Sequence, residues 1–307
     1  MSELSELSEL IAAVEAGGTK FRAAVYPAAL GTARAVPAPV DVPAPVDEVR
    51  IETGTPEATL AAVGDFLDGH SVEALGIASF GPLVVDRASP DYGSMGPTPK
   101  PGWAAIPILS VLRDRLGVPA DIQTDVEAAA VAERHFGAGA GLDAVAYVTV
   151  GTGVGVGVAT GSGVFRGRDH LELGHIAVRR APGDTFAGTC PFHGDCLEGL
   201  ASGPAIAARV GRPAEELDPD HPIWDRVADE LAQLACTIIW AFSPDRILFS
   251  GGVGANAHLE PRVRAATARR LAGYSVSHSD DDRLVEIAGL GNDAGLVGAA
   301  LLAASLR

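Results

Sequence analysis

The segment LIAAVEAGGTKFRAAVY (Leu10–Tyr26) decides how the chain begins to fold. An apolar run, Leu10 to Ala16, halts at Gly17 and Gly18. After Thr19 and Lys20 a second apolar run, Phe21 to Tyr26, resumes. Two strand-length runs joined by glycines spell a hairpin. Beyond it, the Pro-, Ala- and Val-rich stretch Val36 to Val46 reads as a surface connection, and Val49 to Glu52 as a third strand. Pro56 then opens a helix, with Leu60, Val63, Phe66 and Leu67 at helical spacing. Ala74 to Ser79 follows as a buried strand that ends at Phe80, Gly81 and Pro82. Strand, strand, strand, helix, strand is the opening of a mixed α/β unit.

The pattern then recurs. Gly93 to Trp103, with three prolines and three glycines, is a long ordered loop. A helix over Ile108–Leu116, a strand over Ala120–Gln123 and an Ala-rich helix over Val126–Phe136 lead into a second unit that begins near Asp125. Ala144 to Ala159 is a hairpin with glycines at 151, 153, 155 and 157. Helices are expected over Gly199–Val210, Ile223–Phe242, Pro261–Leu271 and Ala294–Leu306. Strands are expected over Arg246–Phe249, closed by a glycine turn from Ser250 to Gly254, and over Leu284–Ala288. The recurrence indicates two similar α/β halves.

A chain of 307 residues is at the size where one core stops growing, so two domains are the default. The net charge of −16 disfavours nucleic acid and anionic membranes as partners, and leaves any anionic ligand to backbone N–H groups and helix N-termini. No apolar run is long enough to span a bilayer. Met1 to Leu10, which repeats Ser-Glu-Leu three times, lacks the basic and apolar regions of a signal peptide and reads as a frayed leader. Three cysteines are too few for a disulfide framework, and Cys236 falls in an apolar helical pattern. The cytoplasm is the expected compartment. Only two lysines, Lys20 and Lys100, stand against 21 arginines, and both lie in Gly/Pro-containing segments.

Cys190-Pro-Phe-His193-Gly-Asp-Cys196 sets a histidine three residues from each of two cysteines. A tight loop of this kind turns three side chains onto one centre, and His175 offers a fourth. Two thiolates and two imidazoles form a closed set of the structural-zinc type, with no position left for water. A redox pair more often shows Cys-x-x-Cys, and buried inert thiols are the other alternative. Glu172 and Glu198 bracket the cluster. Three glycine turns, Gly17-Gly18-Thr19, Gly151-Thr152-Gly153 and Gly251-Gly252-Val253-Gly254, could cup phosphate oxygens on backbone N–H groups, although each alone could be a plain turn. Walker and dinucleotide fingerprints are missing. Asp125, at the carboxyl end of a strand, is the candidate general base; it could equally cap the helix that follows.

Taken in order, these segments resemble the ROK sugar kinases, and within them the zinc-containing bacterial fructokinases. Glu15-Ala-Gly-Gly-Thr-Lys20 is similar to the family's first phosphate loop, Ala78-Ser-Phe-Gly-Pro82 to its second turn, and Thr98-Pro-Lys-Pro-Gly-Trp103 to its substrate loop. Thr124-Asp-Val126, Gly151-Thr-Gly-Val-Gly155, Glu172-Leu-Gly-His175 and Cys190 through Pro204 continue the match. The resemblance implies two actin-like ATPase lobes of the ribonuclease H type, residues 1–124 completed by the helix at 294–307, and residues 125–293 carrying the zinc loop. It implies ATP-dependent phosphorylation of a hexose, fructose foremost, with glucose, mannose or an amino sugar as alternatives. It also implies Mg²⁺, a homodimer, and Asp125 as the base. Gly81, Lys100, Glu172, His175 and Glu198 would face sugar. Gly17, Gly18, Thr19, Lys20, Gly151, Thr152, Gly153, Gly251, Gly252 and Gly254 would face ATP, and His175, Cys190, His193 and Cys196 zinc. The family usually has Asn two residues after the catalytic Asp; here Glu127 stands there, a departure that bears on specificity or pH dependence. The family also includes sugar-sensing repressors, which carry an added DNA-binding domain; a zinc-stabilised binding protein without activity is the third alternative.

Overall fold

The computed structural model describes residues 9–32, 42–274 and 282–307. The leader and most of the Pro-rich connection lie outside those residues. The first sheet contains β1 (Leu10–Ala16), β2 (Lys20–Pro27), β3 (Asp47–Glu52), β4 (Val72–Ser79) and β5 (Ala120–Thr124), in the order β3-β2-β1-β4-β5. The second contains β6 (Ala144–Val150), β7 (Val154–Thr160), β8 (Gly163–Val164), β9 (Arg246–Ser250) and β10 (Val285–Ile287). Its order, β8-β7-β6-β9-β10, repeats the first. The senses repeat too: β1/β2 and β6/β7 are antiparallel hairpins, whereas β1/β4 and β6/β9 run parallel. One topology used twice is the actin-like arrangement that the resemblance implies.

The helices are α1 (Pro56–Leu67), α2 (Ile108–Leu116), α3 (Asp125–His135), α4 (Leu197–Ala201), α5 (Gly203–Val210), α6 (Ile223–Phe242), α7 (Gly251–Gly254), α8 (Glu260–Leu271) and α9 (Ala294–Ala304). Leu60, Val63 and Leu67 of α1 pack with α2 on one face of the first sheet, around Trp103. Its other face packs against α3 and α9. Helix α3 continues onto the second sheet through Val126, Ala129 and Ala130. Helices α4, α5, α6 and α8 cover the far side of that sheet. Thus α3 and α9 form a layer between the two sheets. Glycine permits the close approach: a Cβ on Gly76 would run into the Ala299 carbonyl, and one on Gly298 into that of Ala128.

Two local expectations are corrected. The helix expected over Gly199–Val210 is broken at Ser202, whose hydroxyl accepts the Ala205 N–H at 3.4 Å and caps α5, with Pro204 in its first turn. The glycines after β9 form the one-turn helix α7 rather than an open turn. Buried Glu133, near the end of α3, accepts N–H bonds from Ala138 (2.9 Å), Gly289 (3.0 Å) and Leu290 (2.7 Å). It staples α3 to the segment that enters α9.

Candidate active site

The carboxyl ends of β1 and β6 converge with the first turn of α3 on a cavity of about 340 Å³. Gly17, Gly18, Thr19 and Lys20 from the first hairpin, Tyr147, Thr149, Ser250 and Gly251 from the second sheet and its turn, and Asp125 and Glu15 all line it. The hairpin turn is closed by the Gly17 N–H on the Lys20 carbonyl at 3.0 Å and held by the Thr53 hydroxyl on the Gly17 carbonyl at 2.8 Å. The Gly18 Cα has open space around it, so its backbone is free to meet a ligand. Gly151, Thr152, Gly153, Gly252 and Gly254 do not line this cavity. Gly151 instead accepts the Gly203 N–H at 2.8 Å, and Gly254 packs on Val150.

Asp125 is the first residue of α3, and the cap is its neighbour. Thr124 Oγ1 accepts the Glu127 N–H at 3.2 Å while Glu127 Oε2 accepts the Thr124 N–H at 3.0 Å, a reciprocal capping box. The alternative in which Asp125 serves as the N-cap is therefore excluded. Its Oδ1 accepts the Val126 N–H at 2.8 Å, and the side chain remains partly exposed. Burial pushes the Asp125 carboxyl up to about 6, opposed by the Val126 N–H and by His170, and aided by Glu127. Burial likewise pushes Glu15 up to about 7 against the pull of Arg22. Arg22, buried in β2, reaches Glu15 at 3.5 Å, Glu48 at 2.9 Å, Asp293 at 2.8 Å and the Asn292 carbonyl at 2.9 Å. A carboxyl titrating near 6 is basic enough to take a proton and is ionised at neutral pH.

Outside the lining of this cavity, the structure gathers the side chains of the cysteine loop and His175. The ligand atoms of His175, Cys190, His193 and Cys196 all lie within 4.8 Å of one another. His175 Nδ1 is 3.5 Å from Cys196 Sγ and 3.7 Å from Cys190 Sγ, and His193 Nδ1 is 3.8 Å from Cys190 Sγ. Zinc–sulfur and zinc–nitrogen bonds in a tetrahedron give a sulfur–nitrogen edge of about 3.6 Å, so this quartet fits zinc. Cys190 and Gly194 exchange backbone bonds at 3.2 and 3.0 Å, which makes the loop tight. Burial pushes the Cys196 thiol up to about 11, so a bound metal must displace its proton.

His175 faces two ways. While Nδ1 points to the cysteines, Nε2 lies 3.9 Å from Glu172 Oε2. Glu172 Oε1 in turn lies 3.4 Å from His170 Nδ1. His170 Nε2 accepts the Leu83 N–H at 3.0 Å, just after the cis Gly81–Pro82 bond, and its ring packs beside Gly81. Glu198, in α4, accepts the Val154 N–H at 3.0 Å and packs against Gly153, joining the cysteine loop to the second glycine hairpin. Lys100 does not line the cavity; its loop is anchored by buried Trp103, which donates to the Gly54 carbonyl at 3.1 Å. Sequence reasoning missed Arg22, Arg166, His170 and Asn292. A charge inside the apolar run of β2 was the available signal for Arg22; nothing local marks the other three.

The ROK family model matches residues 11–305 of the chain. A protein named fructokinase from Pediococcus pentosaceus is 40% identical over 294 residues, 96% of this chain and 97% of its own. The crystal structure of a ROK hexokinase from Thermus thermophilus superposes with a TM-score of 0.74 at 28% identity, covering 96% of this chain and 97% of that one. A ROK family glucokinase from Streptomyces griseus, solved in complex with glucose and AMPPNP, gives a TM-score of 0.69 at 28% identity over 96% and 99% of the two chains.

Proposed function

This chain belongs to the ROK family, and from that premise we propose that it is a fructokinase, transferring the γ-phosphoryl group of ATP to the 6-hydroxyl of fructose. The observation that carries the reading is the meeting of Asp125 and the Gly17–Lys20 turn in one cavity. Phosphoryl transfer asks for positioning and charge neutralisation more than covalent chemistry. In this reading the backbone of residues 17–20 and 251 receives ATP phosphates, with Gly151, Thr152, Gly153, Gly252 and Gly254 shaping the turns around them. Asp125 aligns the attacking hydroxyl and accepts its proton. Glu172, His175 and Glu198 hold other hydroxyls, while Gly81 and Lys100 close the sugar side. Mg²⁺ would neutralise phosphate charge when bound.

His175, Cys190, His193 and Cys196 would hold zinc as a structural ion. With Nδ1 committed to the metal, Nε2–H of His175 is left to face Glu172 and the substrate. We take residues 1–124 with 294–307 as one lobe and 125–293 as the other, closing over the substrates as a homodimer in the cytoplasm. The test is a coupled assay with ATP, Mg²⁺ and a panel of hexoses. Turnover with at least one supports the kinase reading; silence with all of them sinks it. Sedimentation equilibrium checks the dimer.

A further inference from the structure

Glu127 stands where the family resemblance leads one to expect Asn, and the structure gives it a partner. Arg166, just after β8, forks onto its carboxylate: Nε to Oε1 at 3.2 Å and Nη2 to Oε2 at 2.7 Å. The Glu127 side chain is 2% exposed and that of Arg166 17%. Oε2 also accepts the Thr124 N–H at 3.0 Å, so one carboxylate both completes the cap that sets Asp125 at the start of α3 and holds the arginine. Four residues on, the same strand-to-loop segment carries His170, which accepts the Leu83 N–H at 3.0 Å and lies 3.4 Å from Glu172. The segment 165–172 is therefore tied to α3 at one end and to the Gly81–Pro82 turn at the other.

We infer that Arg166 and Glu127 are a positioning pair that orders the base-bearing turn of α3 and the His170–Glu172 segment as one unit. A bidentate guanidinium–carboxylate pair fixes direction as well as distance, which a neutral Asn could not do with this arginine. The pair also sets the charge next to the base. Glu127 raises the Asp125 carboxyl and Arg166 offsets that anion; Glu15 from β1, Tyr147 from β6 and His170 also act on or feel that carboxyl, and Lys20 and Arg22 of β2 line the same cavity.

This inference rests on the kinase reading for its kinetic arm and on geometry alone for its second arm. The variants are Arg166→Ala, Glu127→Gln and the double variant, each compared with the intact protein. A displacement of the reacting groups by about 1 Å costs up to about 10²-fold, so Arg166→Ala should lose kcat/KM on that scale, and the double variant should lose no more. The acid limb of kcat/KM should move to higher pH in Arg166→Ala, where an uncompensated Glu127 raises the base. It should move below wild type in Glu127→Gln and in the double variant, where that anion is gone. Hydrogen exchange at residues 165–172 and at the Leu83 amide should quicken in Arg166→Ala and in Glu127→Gln. Should Arg166→Ala fail to fold, Glu127→Gln carries the test, since Gln still accepts the Thr124 N–H. Losses that multiply in the double variant, limbs that coincide, or exchange equal to wild type would overturn the pair. If the wild type turns over no hexose, the kinase reading fails by itself. The exchange arm then decides alone: faster exchange supports the pair and unchanged exchange refutes it.

Discussion

Replacing Asp125 by Asn should make the ligand-free protein more stable and nearly inactive. The carboxyl is pushed from its ordinary 3.8 to about 6 by burial before any other cause. At 1.36 kcal/mol for each tenfold change in proton affinity, that difference corresponds to at most about 3 kcal/mol of destabilisation in the ionised form. Water reaching the partly exposed side chain lowers this figure, so about 1–3 kcal/mol is the expected range. The sign follows from the raised folded value: the folded state holds the proton more tightly, so stability is fully present below pH 4 and is lost as pH rises through 6. Asn cannot ionise, and its Oδ1 keeps the Val126 N–H. Urea unfolding of both proteins should therefore show the Asn variant ahead at pH 8 and nearly level at pH 4. The coupled assay should show a loss of at least about 10²–10⁴-fold for removing a general base. Equal stability at pH 8, a gain as large at pH 4, or retained turnover would refute the placement of Asp125 as a desolvated base.

Three further outcomes follow from other parts of the molecule. Cys190→Ser should reduce zinc, measured by metal analysis, from about one per chain to well below half; calorimetry should show sugar affinity falling through His175 and Glu172 before the lobe unfolds. Gly298→Ala, which drives a Cβ into the Ala128 carbonyl, should cost about 1–3 kcal/mol in denaturant unfolding, because α3 and α9 have no room to part. Glu133→Ala should cost about 1–3 kcal/mol, since the partly buried N–H groups of Ala138, Gly289 and Leu290 lose their shared buried acceptor together.

The parts of the fold legible in the sequence are those set by short-range patterning. The runs Leu10–Ala16 and Phe21–Tyr26 and the glycines between them formed the hairpin that their spacing dictates. Cys190, His193 and Cys196 were readable because their geometry is local, and His175 through the Glu172-Leu-Gly-His175 motif that the resemblance matched. The break at Ser202 was hidden inside a continuous helical pattern, although Ser followed by Gly-Pro is a cap signal. The role of Asp125 was ambiguous until Thr124 was seen to hold the cap. His170 and Arg166 were illegible because their partners lie 87 and 39 residues away, and no periodicity reports a side chain's distant neighbour. Glu127 was noticed as a departure in sequence; its meaning needed the arginine.

The most direct test of the central claim is the ranking of kcat/KM for fructose, glucose, mannose and glucosamine under ATP and Mg²⁺, with the product's phosphate position assigned by nuclear magnetic resonance. The account predicts that fructose ranks first and that its 6-hydroxyl carries the phosphate. A higher ranking for another hexose, or phosphate on another hydroxyl, would contradict it.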